Sequence, residues 1–309
     1  MTAVVLALAP IFLLIVLGFG LRRFRVLPDH FWPPAEKLTY YVLFPALLVD
    51  STAKADLAGL DIVGLGGSLL AAMLCGAALV LALRPWLATD GPAFTSVFQG
   101  AVRVNTYVGL AAGSALHGRE GTALMAIGVI AIVPMVNVLS VLVLTRWGRK
   151  EGPGRATWRQ AVKGVLTNPL ILSVTLGALL NALGIHAVPV VSPLLSILGA
   201  ASLPLGLLAV GAGLDFSAVR AAGASLVAAS VMRLAVVPGI TLGVGSLWGL
   251  GPLPLVVAVL YNGLPTSASA YVLARQMGGD SGLMAGIITA QTLAAALTLP
   301  LWLWVVSLV

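Results

Sequence analysis

Ten predominantly apolar runs divide the chain, at 3–21, 35–50, 62–83, 94–116, 122–145, 165–183, 193–214, 222–247, 253–276 and 283–307. A run of about 18–20 apolar residues crosses the hydrocarbon core of a bilayer as one helix. The second run is the weakest, because Glu36, Lys37 and Pro45 shorten its apolar part. Only 9% of the residues are charged, roughly a third of the usual soluble share. That is too little charge to clothe a water-soluble surface. The expected fold class is an all-α polytopic membrane protein of ten transmembrane helices. Soluble enzyme, nucleic-acid binder and secreted scaffold are excluded, and the lipid bilayer is the first partner.

The net charge of +7 reflects topology, because the basic residues cluster between apolar runs. With Arg103 and Arg233 set aside as falling inside runs, 15 of the 17 basic residues orient the chain. Thirteen fall on one side (Arg22, Arg23, Arg25, Lys37, Arg84, Arg146, Arg149, Lys150, Arg155, Arg159, Lys163, Arg220 and Arg275) and two, Lys54 and Arg119, on the other. The positive-rich side is cytoplasmic by the positive-inside rule. Both termini are therefore expected outside the cytoplasmic membrane, with the long basic loop 146–163 inside. The first run is read as a retained span, since its positive residues follow it. Cys75, alone in an apolar stretch, reads as a buried structural thiol. His30, His117 and His186 are far apart and read as interfacial residues, and no zinc or iron–sulfur spacing occurs. No cofactor or metal is expected.

The chain also repeats itself. Pro10, Pro34 and Pro45 recur as Pro169, Pro193 and Pro204, each 159 residues on, and Leu17-Gly18 and Asp56 recur as Leu176-Gly177 and Asp215. His117–Gly121 then matches Gly278–Gly282 at a displacement of 161. Two copies of one five-span unit are expected, at 1–150 and 165–309, joined by the loop 151–164. Five is odd, so the second copy enters the membrane from the opposite face. Inverted repeats of this kind build secondary transporters, with sites at discontinuous helices near the midplane.

Two spans carry signals of such a break. In span 4, Arg103, Asn105, Thr106 and Gly109 interrupt the apolar pattern, 11 residues from Phe94 to Asn105, or about 16 Å of helix. In span 9, Leu253 to Pro265 covers 12 residues before Pro265-Thr266-Ser267-Ala268-Ser269. Proline removes a backbone donor and frees a carbonyl one turn earlier. Freed polar groups at membrane depth survive only where protein or a water-filled cavity satisfies them. The alternative is that these Asn, Thr and Ser side chains hydrogen-bond neighbouring helices.

All ten acids fall at span ends or in loops. A carrier that moves protons or sodium on a buried carboxylate needs one mid-membrane, so that mechanism loses support. Arg103 and Arg233 do lie deep, and each must face carbonyls, water or an anionic ligand. For Arg233 the structural alternative is capping of freed carbonyls or snorkelling to an interface. Cations without fixed anions favour a carboxylate substrate.

At these residues the chain resembles the auxin efflux carrier family of membrane transporters, which includes bacterial permeases and PIN-type auxin carriers. The resemblance runs through Pro10–Gly18, Phe44–Leu48, Arg103–Gly109, Pro134–Asn137, Asn168–Ile171, Leu203–Leu207, Pro265–Asp280 and Leu297–Pro300. It implies a ten-span 5+5 inverted repeat whose spans 4 and 9 cross at unwound middles. It further implies a scaffold of spans 1, 2, 6 and 7 and a moving domain of spans 3–5 and 8–10. Family members move organic anions such as auxin, malate or malonate. Asn105 matches the family's crossover asparagine and Pro265 its span 9 proline. Ser269 stands where many relatives carry asparagine.

The expected function is therefore secondary transport of a small organic anion by elevator-type alternating access. Asn105, Thr106, Tyr107, Pro265, Thr266, Ser267 and Ser269 are the candidate site residues, with Arg103 and Arg233 balancing charge. A homodimer, and a coupling proton or sodium ion, remain open as further partners. The rivals are a sodium-coupled carrier of bulkier amphipathic solutes and a membrane sensor or scaffold without transport. No constellation of residues supports an enzyme.

Overall fold

The computed structural model describes residues 2–55, 61–87, 89–149 and 167–308. Asp56 and the loop 151–164 lie outside the described residues. Every regular element among those described is helical. The helices are α1 (Thr2–Arg23), α2 (Trp32–Leu38), α3 (Phe44–Lys54), α4 (Ile62–Leu83), α5 (Gly91–Val102), α6 (Thr106–Trp147) and α7 (Pro169–Ala182). They continue as α8 (Val191–Ala212), α9 (Phe216–Ala221), α10 (Gly223–Val231), α11 (Val237–Leu247), α12 (Pro252–Asn262), α13 (Ser269–Met277) and α14 (Ser281–Val306).

Among the described residues six helical stretches are long and apolar enough to cross a membrane: Val5–Arg23, Ile62–Trp86, Gly91–Trp147, Val191–Ala212, Gly223–Leu247 and Ser281–Val306. Gly91–Trp147 takes in two of the expected spans. The expected spans 2, 6 and 9 fall on shorter helices. Two physical devices shorten or divide the helices. Pro45 and Pro238 each follow a π-helical turn, Thr39–Leu43 and Met232–Val236 respectively, which ends two residues before the proline. The wider turn absorbs the ring that an α-helix has no room for. Inside α6, His117 (φ −136°, ψ 18°) and Gly118 (φ 57°, ψ −133°) leave helical geometry, so two helices meet there. Gly118 takes a positive φ that a side chain would resist.

The helices sort into two compact units. The first holds residues 1–60, 106–130 and 166–213. Its closest packing joins α1 and α8 through glycines. A Cβ on Gly18 would stand 2.1 Å from the Leu208 carbonyl oxygen, and one on Gly211 would stand 1.8 Å from that of Ile15. Backbone therefore meets backbone, the contact that small residues make between membrane helices. On α1, Leu8, Ile11 and Ile15 are buried while Leu13, Val16 and Leu17 are exposed, at 66%, 58% and 52%. A helix apolar on its outward face as well fits a lipid surround and not water. The Asn181 amide donates to the carbonyls of Thr52, Ala53 and Ala55 at 3.2, 3.1 and 2.9 Å, closing the C-terminal end of α3. Arg22 reaches the Ala212 carbonyl at 2.6 Å and pairs with Asp29 at 2.9 Å.

The second unit holds 61–105, 131–165 and 214–309. Here α4 lies on α11 at Gly76, whose Cβ would meet Val237 at 2.7 Å. α5 lies on α10 and α14 at Gly100, against Ala229 and Ile287. Aspartates cap four of its helices: Asp61 accepts from the Gly64 N–H, Asp90 from Ala93, Asp215 from Ser217 and Ala218, and Asp280 from Leu283. Orphan N–H groups at a helix start favour such an acceptor, which gives these acids at span ends a structural duty.

Cys75 is exposed on α4, which corrects the expectation of a buried thiol. An apolar span turns one face to its neighbours and the other outward, so an apolar neighbourhood in sequence does not bury a side chain.

Candidate functional site

In the second unit two helices, α5 and α12, stop beside each other, and each is followed by non-helical backbone. α5 ends at Val102, residues 103–105 are non-helical, and α6 starts at Thr106. α12 ends at Asn262 and α13 begins at Ser269. The Asn105 N–H donates to the Pro265 carbonyl at 2.8 Å, so the two interruptions are joined backbone to backbone. Gln291 on α14 ties them a second time. Its side-chain oxygen accepts from the Thr266 N–H at 2.9 Å, and its amide donates to the Gly100 carbonyl at 3.0 Å. Interrupted backbone inside an apolar fold needs such partners, and Gln291, fully buried, supplies one donor and one acceptor.

Arg103 leaves the end of α5 in an extended conformation and is 8% exposed. Its guanidinium donates to Asn137 Oδ1 at 3.0 Å and to Ser269 Oγ at 2.9 Å. Both acceptors are neutral side chains, and these bonds orient the guanidinium. The Ser269 hydroxyl is also 2.6 Å from that of Ser267, and the Ser269 N–H donates to Ser267 Oγ at 3.1 Å. Ser269 is exposed and Ser267 half-buried. Here a positive charge, two hydroxyls and the N-terminal end of α13 come together, and each favours an anion.

The other candidates are placed differently. Thr266 is fully buried, its hydroxyl turned to the Gln99 carbonyl at 3.5 Å. Asn105 is 3% exposed. Thr106 and Tyr107 belong to the first unit, where Tyr107 stacks on Phe44 with ring centroids 4.5 Å apart. Arg233 sits in the π-turn between α10 and α11, fully buried, and its guanidinium turns to the end of α12. Nε donates to the Leu264 carbonyl at 2.6 Å and Nη2 to the Tyr261 carbonyl at 3.2 Å. Tyr261 is the residue four before Pro265, the carbonyl that a helical N–H at 265 would have bonded.

Sequence reasoning missed Gln291 and Asn137. A lone glutamine in the apolar run 283–307 was the available signal for the first. Asn137 lay within the PMVN stretch, but nothing in its spacing pointed to Arg103. Among the described residues no group of three or more His, Cys, Asp or Glu forms a metal site.

An all-helical fold with outward apolar faces, and polar groups gathered at interrupted helices, defines a multi-pass membrane transporter. The chain matches the family described as membrane transport protein over residues 3–303, and it belongs to that family, the auxin efflux carriers. It is also similar to an uncharacterized transporter of Methanothermobacter thermautotrophicus, 24% identical over 294 residues that cover 94% of this chain and 95% of that protein.

Proposed function

We propose that the protein is a secondary transporter of a small organic carboxylate across the cytoplasmic membrane. The observation that carries this reading is the Arg103 guanidinium, held by the neutral side chains of Asn137 and Ser269 at the start of α13. A carboxylate arriving there meets one fixed cation, the hydroxyls of Ser267 and Ser269, and the positive end of the α13 dipole, whose first N–H groups already donate to Ser267 and Ala268. Asn105, Pro265 and Thr266 shape the two interruptions around it, and Thr106 and Tyr107 follow Asn105 in the chain. These side chains are donors to the substrate or hold the donors in place.

The same reading takes the helices as ten spans in a 5+5 inverted repeat, with copies at 1–150 and 165–309 and both termini outside. α5–α6 and α12–α13 are then the crossed, unwound spans 4 and 9. Transport is of the elevator type, a scaffold of spans 1, 2, 6 and 7 supporting a moving domain of spans 3–5 and 8–10. Spans 1, 2, 6 and 7 fall in one unit and spans 3, 8, 9 and 10 in the other, which supports that division, while residues 106–130 of spans 4 and 5 fall with the first and depart from it.

The test is a melting-temperature screen of the purified protein against small mono- and dicarboxylates, in sodium and in choline buffers. A ligand bound at a hundred times its dissociation constant adds about 2.7 kcal/mol to native-state stability, a rise of several degrees. A carboxylate that stabilises the protein equally in both buffers is the expected result. Stabilisation only by uncharged or amphipathic solutes, or only in sodium, overturns it in favour of the sodium-coupled rival.

A further inference from the structure

Arg233 is the one deep arginine that the carboxylate site does not use. It is fully buried, and a buried guanidinium needs its charge balanced. Among the described residues it has no acidic partner. Its recorded partners are the carbonyls of Leu264 and Tyr261, at 2.6 and 3.2 Å, and the Met73 sulfur at 3.9 Å. The balancing charge is therefore a helix end. α12 runs for 11 residues into this point, and a helix C-terminus carries about half a negative charge on its unsatisfied carbonyls. Pro265 adds to it by leaving the Tyr261 carbonyl without its helical donor, though the Leu264 N–H still approaches it at 3.3 Å.

In carriers driven by sodium, the C-terminal ends of broken helices and the carbonyls beside them coordinate the coupling ion. Here the carbonyl end of a broken helix is already occupied by a cation belonging to the protein. We infer that Arg233 is a resident counter-cation, held in the place a coupling sodium ion would take, so that this end of α12 binds no ion during transport. The inference rests on the transporter reading for its meaning, but its geometry is independent of the Arg103 site. The π-turn Met232–Val236 is what aims it. The wide turn carries Arg233 itself and precedes Pro238, and the Leu234 carbonyl, left by Pro238 without a helical donor, accepts from the Trp302 indole at 2.7 Å. Arg233 is on this account a positioning residue, which fixes the carbonyl end of α12 and with it the start of the segment 263–268.

A positioning role of this kind has a signature that loss of packing alone lacks, namely selective chemical rescue. The experiment measures melting temperatures of the purified full chain, without substrate, for the wild type and for Arg233→Ala, Arg233→Gln and Arg233→Lys. Each is compared in sodium chloride, choline chloride, and choline chloride with a few millimolar ethylguanidinium. The wild type should melt at the same temperature in all three. Arg233→Ala should melt lower and regain ~2–4 °C or more with ethylguanidinium, which refills the vacated place. Arg233→Lys, which keeps the charge but not the fork, should fall between the wild type and Arg233→Gln. The inference is overturned if sodium raises the wild-type melting temperature over choline. It is equally overturned if ethylguanidinium shifts Arg233→Ala no more than the wild type. Should Arg233→Ala fail to fold, the wild-type comparison of cations and the order of Lys and Gln still decide. No carboxylate is present in these samples, so failure here leaves the Arg103 site standing, and failure of the carboxylate screen leaves this result standing.

Discussion

Two buried arginines differ in what each guanidinium touches. Arg103 donates to side chains, to Asn137 inside α6 and to Ser269 at the N-terminal end of α13. Arg233 donates to carbonyls at the C-terminal end of α12. The Arg233 guanidinium meets the negative end of a helix dipole, whereas that of Arg103, whose backbone caps the end of α5, reaches the positive end of α13, which favours an anion. Replacing Arg103 with Gln should therefore weaken carboxylate binding far more than it lowers stability. A charge-assisted hydrogen bond is worth about 1.5–3 kcal/mol, so affinity should drop roughly ten- to a hundredfold. Calorimetric titration and melting temperature on the same samples check this. An unchanged dissociation constant would remove Arg103 from the site. That both arginines fall inside apolar runs was legible in the sequence, but their partners were not, because carbonyls carry no residue identity and Asn137 is 34 positions from Arg103.

At the scale of the helix, close approach is set by glycine. Gly18 on α1 and Gly211 on α8 each face a backbone carbonyl at a distance that leaves no room for a methyl group. Gly211→Val should force the two helices apart and cost about 1–3 kcal/mol, as overpacking does. Its melting temperature in detergent should fall by several degrees. Gly66 in α4 has nothing within 4 Å of a built Cβ. Gly66→Ala should be neutral or slightly stabilising, since alanine is the better helix former by about 1 kcal/mol. Equal effects of the two changes would show that neither reports packing. The interruptions at Asn105 and Pro265 were legible because proline and clustered polar residues break the apolar pattern. The π-turns were not, although each precedes a proline, because several wide-turn and kinked geometries satisfy the same sequence. Gln291 was not legible for a related reason. An apolar run that is hydrophobic all round has no polar face from which to read the direction of one amide.

For the whole molecule, the open quantity is orientation, which turns on charge and on an odd number of spans per repeat. Thirteen basic residues against two on the opposite side amount to a strong inside bias. With five spans in each copy, the connection after α7 should then face outward and the basic loop 151–164 inward. Cysteine labelling of intact cells with a membrane-impermeant maleimide reads this directly. The background variant is Cys75→Ala, because the native thiol is exposed on α4 and its own labelling must be removed. Ala187→Cys lies in the exposed connection between α7 and α8 and should label from outside. Gly152→Cys, which falls outside the described residues, should label only after permeabilisation. A reversed pattern would turn the topology over, with both termini in the cytoplasm. Labelling of both sites from outside would instead mean an even number of crossings between 152 and 187. That outcome would remove the expected span 165–183, which coincides with the 14-residue α7, and would leave the inverted repeat without its odd count.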